Sequence, residues 1–381
     1  MDFSFTQEQT MLRDSVDKFV SDNCGVERHR HLCTTQLGYD AAQWQQFADL
    51  GWLGVPFSEE YGGIGGGATD VMVMAEALGR GLVREPYLAT VVTCGGFLRH
   101  AGNPRQCAQY IPDVIAGSTQ WAFACAEKNS GYSLDRIDTT AQLQGDDYLL
   151  RGEKTTVLNG HCADFFVVSA KISEAEGLRG GLTLFIVDAT LPGITRQPFV
   201  AVDGSSGATV QLQDVLIGTD QVLGTVGQGL SLMEAVIDEA IVALGGEALG
   251  AMQSLLDATV EYTSTRQQFG QPISKFQVLQ HRMADMYLKI EETRSLLFNA
   301  AIQLEEGSAQ AASACAALKV KVSEASRYVA QEAVQLHGGI GMTDELCVGH
   351  HYKRLMLLSR LYGDEAYYLQ KYADLSAGGV A

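Results

Sequence analysis

No Cys-x-x-Cys pair and no His/Cys cluster at zinc-binding spacing occurs in the 381 residues, so neither a dithiol redox motif nor a metal site is expected. No apolar run approaches the ~18 residues of a membrane span. Met1-Asp2-Phe3-Ser4-Phe5-Thr6 lacks a basic stretch followed by an apolar one, so no signal peptide is expected. Basic residues are scarce as well: 27 Lys and Arg stand against 45 Asp and Glu, for a net charge of −18. Such a surface disfavours nucleic acid and anionic membrane as partners. It does not exclude a phosphorylated ligand, because a pocket needs only a few Arg or backbone N–H groups. The eight cysteines (Cys24, Cys33, Cys94, Cys107, Cys125, Cys162, Cys315 and Cys347) are spread along the chain. They read as reduced, mostly buried thiols of a cytoplasmic protein.

What is present is apolar mass, 46% of residues against 19% charged, enough for a large core. At about 150 residues per domain the length suggests two or three domains. The pattern divides into three blocks: an N-terminal helical domain (1–118), a middle β domain (119–226) and a C-terminal helical bundle (227–381). In the first block Thr6 and Gln9 form a candidate capping box ahead of Met11, Leu12, Val16, Phe19 and Val20 at helical spacing. Helices are predicted over 42–50 and 69–82, with helical pattern continuing to about 115. The glycine-rich stretch Tyr61–Gly67 lacks the preceding strand and the Gly-Lys-Ser/Thr ending of a phosphate loop. It reads first as a mobile connector, with a ligand-lining turn as the alternative.

The middle block switches to short β-rich runs: Thr139–Leu143, Tyr148–Arg151, Phe165–Ala170, Leu182–Val187 and Ala208–Leu212. Gly145-Asp146-Asp147 is a hairpin signal between the first two. With no helices between the runs, an antiparallel barrel or sandwich is predicted. The third block predicts long helices over 231–266, 274–305 and 308–336, and one or two more after Thr343, making a four-helix bundle. The fold class is therefore α+β.

Four stretches in this order resemble an acyl-CoA dehydrogenase over essentially the whole chain. They are Gly51-Trp52-Leu53-Gly54-Val55-Pro56 with Glu59-Glu60-Tyr61-Gly62-Gly63; Gly152-Glu153-Lys154 leading to Asn159-Gly160; Thr265-Arg266-Gln267-Gln268-Phe269-Gly270-Gln271-Pro272-Ile273; and Gln335-Leu336-His337-Gly338-Gly339-Ile340-Gly341. The resemblance implies bound FAD, an acyl-CoA thioester substrate, and α,β-dehydrogenation to a trans-2-enoyl-CoA. It also implies an electron-transfer flavoprotein as electron acceptor, and a homo- or hetero-oligomer. It assigns the adenine half of FAD to Arg266, Gln268, Phe269, Gln335, Gly338 and Gly339, partly from a neighbouring subunit. The chemistry suits that role: Arg266 is a fork-shaped donor for a pyrophosphate, and paired glycines allow close approach of backbone N–H groups. A crevice between bundle and β domain is the expected place for a flat cofactor.

The flavin side departs from the family pattern. Where the family has Thr and Pro after its first strand, this chain has Ala126 and Lys128. Where it has Trp-Ile-Thr-Asn-Gly, this chain has Thr156-Val157-Leu158-Asn159-Gly160. Backbone contacts from Cys125, Ala126, Thr156 and Leu158 to the flavin remain expected. The thioester carbonyl is expected to take a backbone N–H near Gly363 or Asp364.

The α-proton needs a carboxylate base. Gly363 falls where one branch of the family has its Glu, and Ala240 where another has it. Glu247 lies two turns beyond Ala240, about 20° around the helix. It sits among Gly245, Gly246, Ala248, Leu249 and Gly250, and burying it unpaired would cost several kcal/mol. Glu247 is accordingly the first candidate base, Asp364 the second and Glu239 a minor one. The alternatives are that Glu247 pairs with an Arg across the bundle or faces water, and that the chain carries no base. In the last case it would be a non-catalytic or half-site partner subunit, as in small chains of heteromeric pimeloyl-CoA or steroid side-chain acyl-CoA dehydrogenases, whose style His161 and Cys162 follow. A flavin oxidase or nitroalkane-type relative is a third reading. Tyr367 and Tyr368 read as packing residues. The small residues around Glu247 would leave room for a bulky acyl group.

Overall fold

Thr6 starts the first helix as its sequence suggests. Its Oγ1 accepts the Gln9 N–H at 3.1 Å, and the Gln9 side chain accepts the Thr6 N–H at 3.1 Å. The structure is a computed structural model that describes residues 5–172 and 181–378. Met1–Ser4, part of the stretch read above for a targeting signal, lie outside them. The helices ahead of the sheet are α1 (Gln7–Asn23), α2 (Val26–Leu32), α3 (Ala41–Asp49), α4 (Ala68–Arg80), α5 (Gly95–Ala101) and α6 (Pro104–Ile115). A wider π-type helical run over Tyr87–Cys94 precedes α5.

Among the described residues ten strands follow: β1 (Trp121–Ala124), β2 (Thr140–Gln144), β3 (Asp147–Leu158), β4 (Phe165–Ile172), β5 (Leu182–Asp188), β6 (Ile194–Val200), β7 (Ser206–Gly218), β8 (Val222–Leu223), and the two-residue pair β9 (Gln267–Gln268) and β10 (Gln271–Pro272). The long helices are α7 (Gly229–Thr265), α8 (Gln277–Glu305) and α9 (Ala311–His337), then α10 (Cys347–Leu358) and α11 (Glu365–Gly378). No helix among the described residues is long and apolar enough to cross a membrane.

The chain divides into two compact units. One gathers α1, α4, α7 beyond Ala240, and α8 to α11. The other gathers α3, α5, α6, the main sheet and the start of α7. In the second unit the strand order is β6-β7-β3-β2-β4-β5-β8, with β1 added on β4. Most pairs are antiparallel, but β1 and β2 each run parallel to β4. An all-antiparallel sheet was the expectation. It fails because β4 does not return beside β3; it takes the far side of β2 and so shares its direction. No pairing among the described strands closes the path into a barrel. The sheet buries Tyr148, Leu150, Phe166, Val168, Phe185 and Val210 in one cluster. Tyr61–Gly67 is not a loose connector: the N–H groups of Gly63, Ile64, Gly65 and Gly66 donate to Ser58, Gly54, Phe57 and Val55 carbonyls at 2.7–3.0 Å.

In the first unit α4 and α7 cross with their backbones in contact. A Cβ at Gly250 would overlap the Glu76 carbonyl, and one at Gly79 would overlap the Glu247 carbonyl. At Gly246 a Cβ would stand 2.7 Å from the Met72 carbonyl oxygen, and at Gly245 3.1 Å from Leu297. The glycines around Glu247 are therefore filled by neighbouring helices and provide no room for a bulky acyl group; the expectation of such room is corrected. Small residues permit close backbone approach as readily as they permit a cavity. Gly250→Ala should cost about 1–3 kcal/mol through overpacking, read as a lower denaturation midpoint; an unchanged midpoint would contradict the contact.

Candidate active site

The residues expected to hold the adenine half of FAD belong to the first unit. The Tyr262 ring, near the end of α7, stacks on His337 at the end of α9, with centroids 4.6 Å apart. His337 is buried with Nδ1 2.8 Å from the Ala333 carbonyl, and burial lowers its pKa, so it serves as a neutral spacer. Arg266 leaves α7 and its carbonyl accepts the Ile273 N–H at 2.9 Å, closing the β9–β10 hairpin. The turn residues Phe269 and Gly270 have φ of 53° and 79°, the signs a tight two-residue hairpin demands. Phe269 consequently stands 90% exposed. Arg266, Gln268, Gln335, Gly338 and Gly339 are exposed too. The Arg266 guanidinium has no partner among the described residues, and a Cβ at Gly338 or Gly339 would meet nothing within 4 Å. An unengaged fork donor, an open glycine backbone and a bare aromatic ring fit the phosphates and adenine of FAD.

The residues expected to touch the flavin belong to the second unit. The Ala126 carbonyl accepts the Thr155 N–H at 2.8 Å, joining the segment after β1 to β3. The β3 pairing with β7 is interrupted between Lys154 and Val157, where Thr156 takes φ 54°. That bulge leaves Thr156 exposed, with Leu158 half-buried. A buried ion pair fixes this corner: Lys154 Nζ lies 2.7 Å from Glu127 Oε1 and 3.1 Å from Ser169 Oγ. Burial raises the Glu127 pKa, but bonds from Lys154, Thr139 and the Asp138 N–H outweigh it and hold the carboxyl below its ordinary value. The Cys125 thiol is pushed up to about 11 by burial, so it stays protonated at neutral pH. His161 Nε2 lies 2.9 Å from the Leu37 carbonyl, and the Cys162 thiol, pushed up to about 12 by burial, donates to Asn159 Oδ1 at 3.1 Å. Both are tied into the fold.

The three candidate acids, and Gly363 where one branch of the family has its Glu, meet four different fates. Glu239 is held by Arg99 and by His100, whose Nε2 is 2.6 Å away. Burial raises its pKa, but those two partners reverse the shift. Gly363 adopts φ 138°, and a Cβ there would stand 2.5 Å from the Tyr368 ring and 2.7 Å from Tyr367, so a Glu does not fit. Tyr368 is 1% exposed and its ring sits edge-on to Tyr367. Asp364 caps α11, with Oδ1 accepting the Tyr367 N–H at 3.0 Å. Glu247 is not unpaired: as the alternative reading had it, an Arg across the bundle meets it, Arg354 on α10 donating from Nε to Oε1 at 2.6 Å. The desolvation argument that singled Glu247 out is thereby corrected, since the guanidinium compensates the burial. Oε2 of Glu247 accepts no hydrogen bond among the described residues, and the side chain is 14% exposed.

Sequence reasoning missed Arg354 and Lys319. No signal in the sequence singled out Arg354, which ends the polar run His350-His351-Tyr352-Lys353-Arg354 of α10. Lys319 is fully buried on α9. Its Nζ donates to the last carbonyls of α10, Leu358 at 3.0 Å and Ser359 at 2.9 Å, and lies 5.9 Å from the Tyr368 ring centre. It anchors the turn that carries Gly363 and Asp364. No group of three His, Cys, Asp or Glu among the described residues is placed to hold a metal ion.

Three family models match the chain: acyl-CoA dehydrogenase N-terminal domain over residues 6–118, middle domain over 122–215 and C-terminal domain over 227–373. The chain is 31% identical to mitochondrial isovaleryl-CoA dehydrogenase of Oryza sativa subsp. japonica over 352 residues, 91% of this chain and 85% of that protein. Among solved structures it is similar to butyryl-CoA dehydrogenase from Megasphaera elsdenii (TM-score 0.91, 28% identical, covering 98% of this chain and 99% of that one). It is similar also to a chain of the ChsE4-ChsE5 complex from Mycobacterium tuberculosis (TM-score 0.90, 26% identical, 99% of each chain). The chain belongs to the acyl-CoA dehydrogenase family, FAD-dependent oxidoreductases acting on acyl-CoA.

Burial pulls the Lys319 ammonium down to about 7, against an upward pull from Asp364. Its folded pKa lies below the ordinary 10.5, so between these values the unfolded chain binds the extra proton and stability rises with pH. The stability gap between wild type and Lys319→Met should therefore shift in favour of wild type from about pH 7 to pH 10. Thermal midpoints across that range check this; a gap that stays constant would show an ammonium charged throughout.

Proposed function

We propose that the FAD-loaded protein converts an acyl-CoA thioester to its trans-2-enoyl-CoA, with Glu247 as the base at the α-carbon. The observation that carries this reading is the open Oε2 of Glu247 on the longer of the two carboxylate arms, while Gly363 has no room for a Glu, Asp364 Oδ1 caps a helix, and Glu239 is held by Arg99 and His100. Oε2 receives the α-proton, and the electrons of that C–H bond become the new C=C bond as a hydride departs from the β-carbon. The cofactor supplies the acceptor for that hydride. Polarisation of the thioester carbonyl falls to the Asp364 N–H, because the Gly363 N–H already donates to the Arg360 carbonyl at 3.2 Å. Lys319 keeps that turn in place.

The adenine half of FAD is held by Arg266, Gln268 and Phe269 with Gln335, Gly338 and Gly339, in part by residues of an adjoining subunit. The exposure of Phe269 supports that sharing. The assembly is a homo-oligomer or a pairing with a sister chain, electrons pass on to an electron-transfer flavoprotein, and the setting is cytoplasmic, in keeping with eight cysteines spread along the chain. Mixing the FAD-loaded protein with acyl-CoA should bleach the flavin absorbance. Glu247→Gln should slow that bleaching by about 10²- to 10⁴-fold, and Asp364→Asn far less. Bleaching by Glu247→Gln at the wild-type rate would remove the base assignment.

A further inference from the structure

We propose that Arg354 is a positioning residue for the α-proton transfer: it holds Glu247 by one carboxylate oxygen and leaves the other aimed at the substrate. The inference rests on Glu247 being the base. A carboxylate side chain has three rotatable bonds, and a base that wanders is a poor one. Here the main chain of Glu247 is immobilised by the α4–α7 crossing, where Gly79 lies against its carbonyl. The side chain is then fixed at its far end by Arg354 Nε, 2.6 Å from Oε1, with the two side chains 20% and 14% exposed. A charge-assisted bond at such partial burial is short and directional. The contact is through a single oxygen. A bidentate grip would have consumed both oxygens and left no acceptor for the proton.

A group that only stabilises the fold would alter yield or melting temperature. A group that aims the base alters the C–H cleavage step itself. In the FAD-loaded enzyme, Arg354→Gln should slow flavin bleaching by about 10- to 100-fold with KM for acyl-CoA changed by no more than about twofold. It should also raise the isotope effect seen with α-deuterated acyl-CoA. Arg354→Lys, which keeps a cation within reach, should recover most of the rate and stands in should the Gln variant fail to fold. Wild-type bleaching in Arg354→Gln, an unaltered isotope effect, or a Lys variant no faster than Gln would each overturn the inference. Glu247→Gln separates the two readings. If it bleaches at the wild-type rate, the base reading fails. If it is slow while Arg354→Gln is not, only the role of Arg354 fails.

Discussion

Where α4 meets α7 there are no side chains between the backbones, and this contact sets the position of Glu247. Glycines at 79, 246 and 250 let the two helices approach until any added Cβ would strike a main-chain carbonyl. Glycine inside a helix costs about 0.5–1 kcal/mol relative to Ala, so several in one stretch weaken α7 locally. The close crossing compensates by bringing backbone and side-chain atoms into dispersion contact along both helices. The crossing is bordered by charge: Glu76 on α4 takes Arg294 at 2.9 Å and Arg80 at 3.1 Å. Carboxylates along this seam are thus each met by a guanidinium, Glu76 by two and Glu247 by one.

The same economy appears where irregular segments are held by buried lysines. Lys154 and Glu127 pin the segment after β1 to the β3 bulge, and Lys319 pins the turn before α11 to the end of α10. Each buried cation is surrounded by fixed acceptors: a carboxylate and a hydroxyl in the first case, two helix-terminal carbonyls in the second. A buried cation is costly without partners, so each of these lysines holds its segment in one arrangement. Rigid support of this kind is what a site needs when its contacts come from backbone atoms in turns.

Much of the fold was legible in the sequence because it is local. The capping box at Thr6, the 3.6-residue period of the long helices and the glycine turn between β2 and β3 each involve residues a few positions apart. The stretches assigned to the adenine half could be picked out for the same reason: Arg266 to Phe269 and Gln335 to Gly339 are short contiguous runs. Strand β6 escaped notice because it holds Pro198, pairs on one side only and alternates weakly between half-buried and exposed. The parallel placement of β4 depends on which edge of β2 it joins, which strand pattern does not encode. The partner of Glu247 lies 107 residues away and the α4–α7 seam joins segments 174 apart. From one sequence, therefore, a filled glycine seam looked like space and a paired acid looked unpaired.

The most direct measurement is a structure of the FAD-loaded protein with an acyl-CoA thioester bound. The account predicts Glu247 Oε2 at about 3–3.5 Å from the α-carbon, with Oε1 still on Arg354. An α-carbon facing some other carboxylate, or both oxygens of Glu247 engaged by Arg354 in the complex, would contradict it.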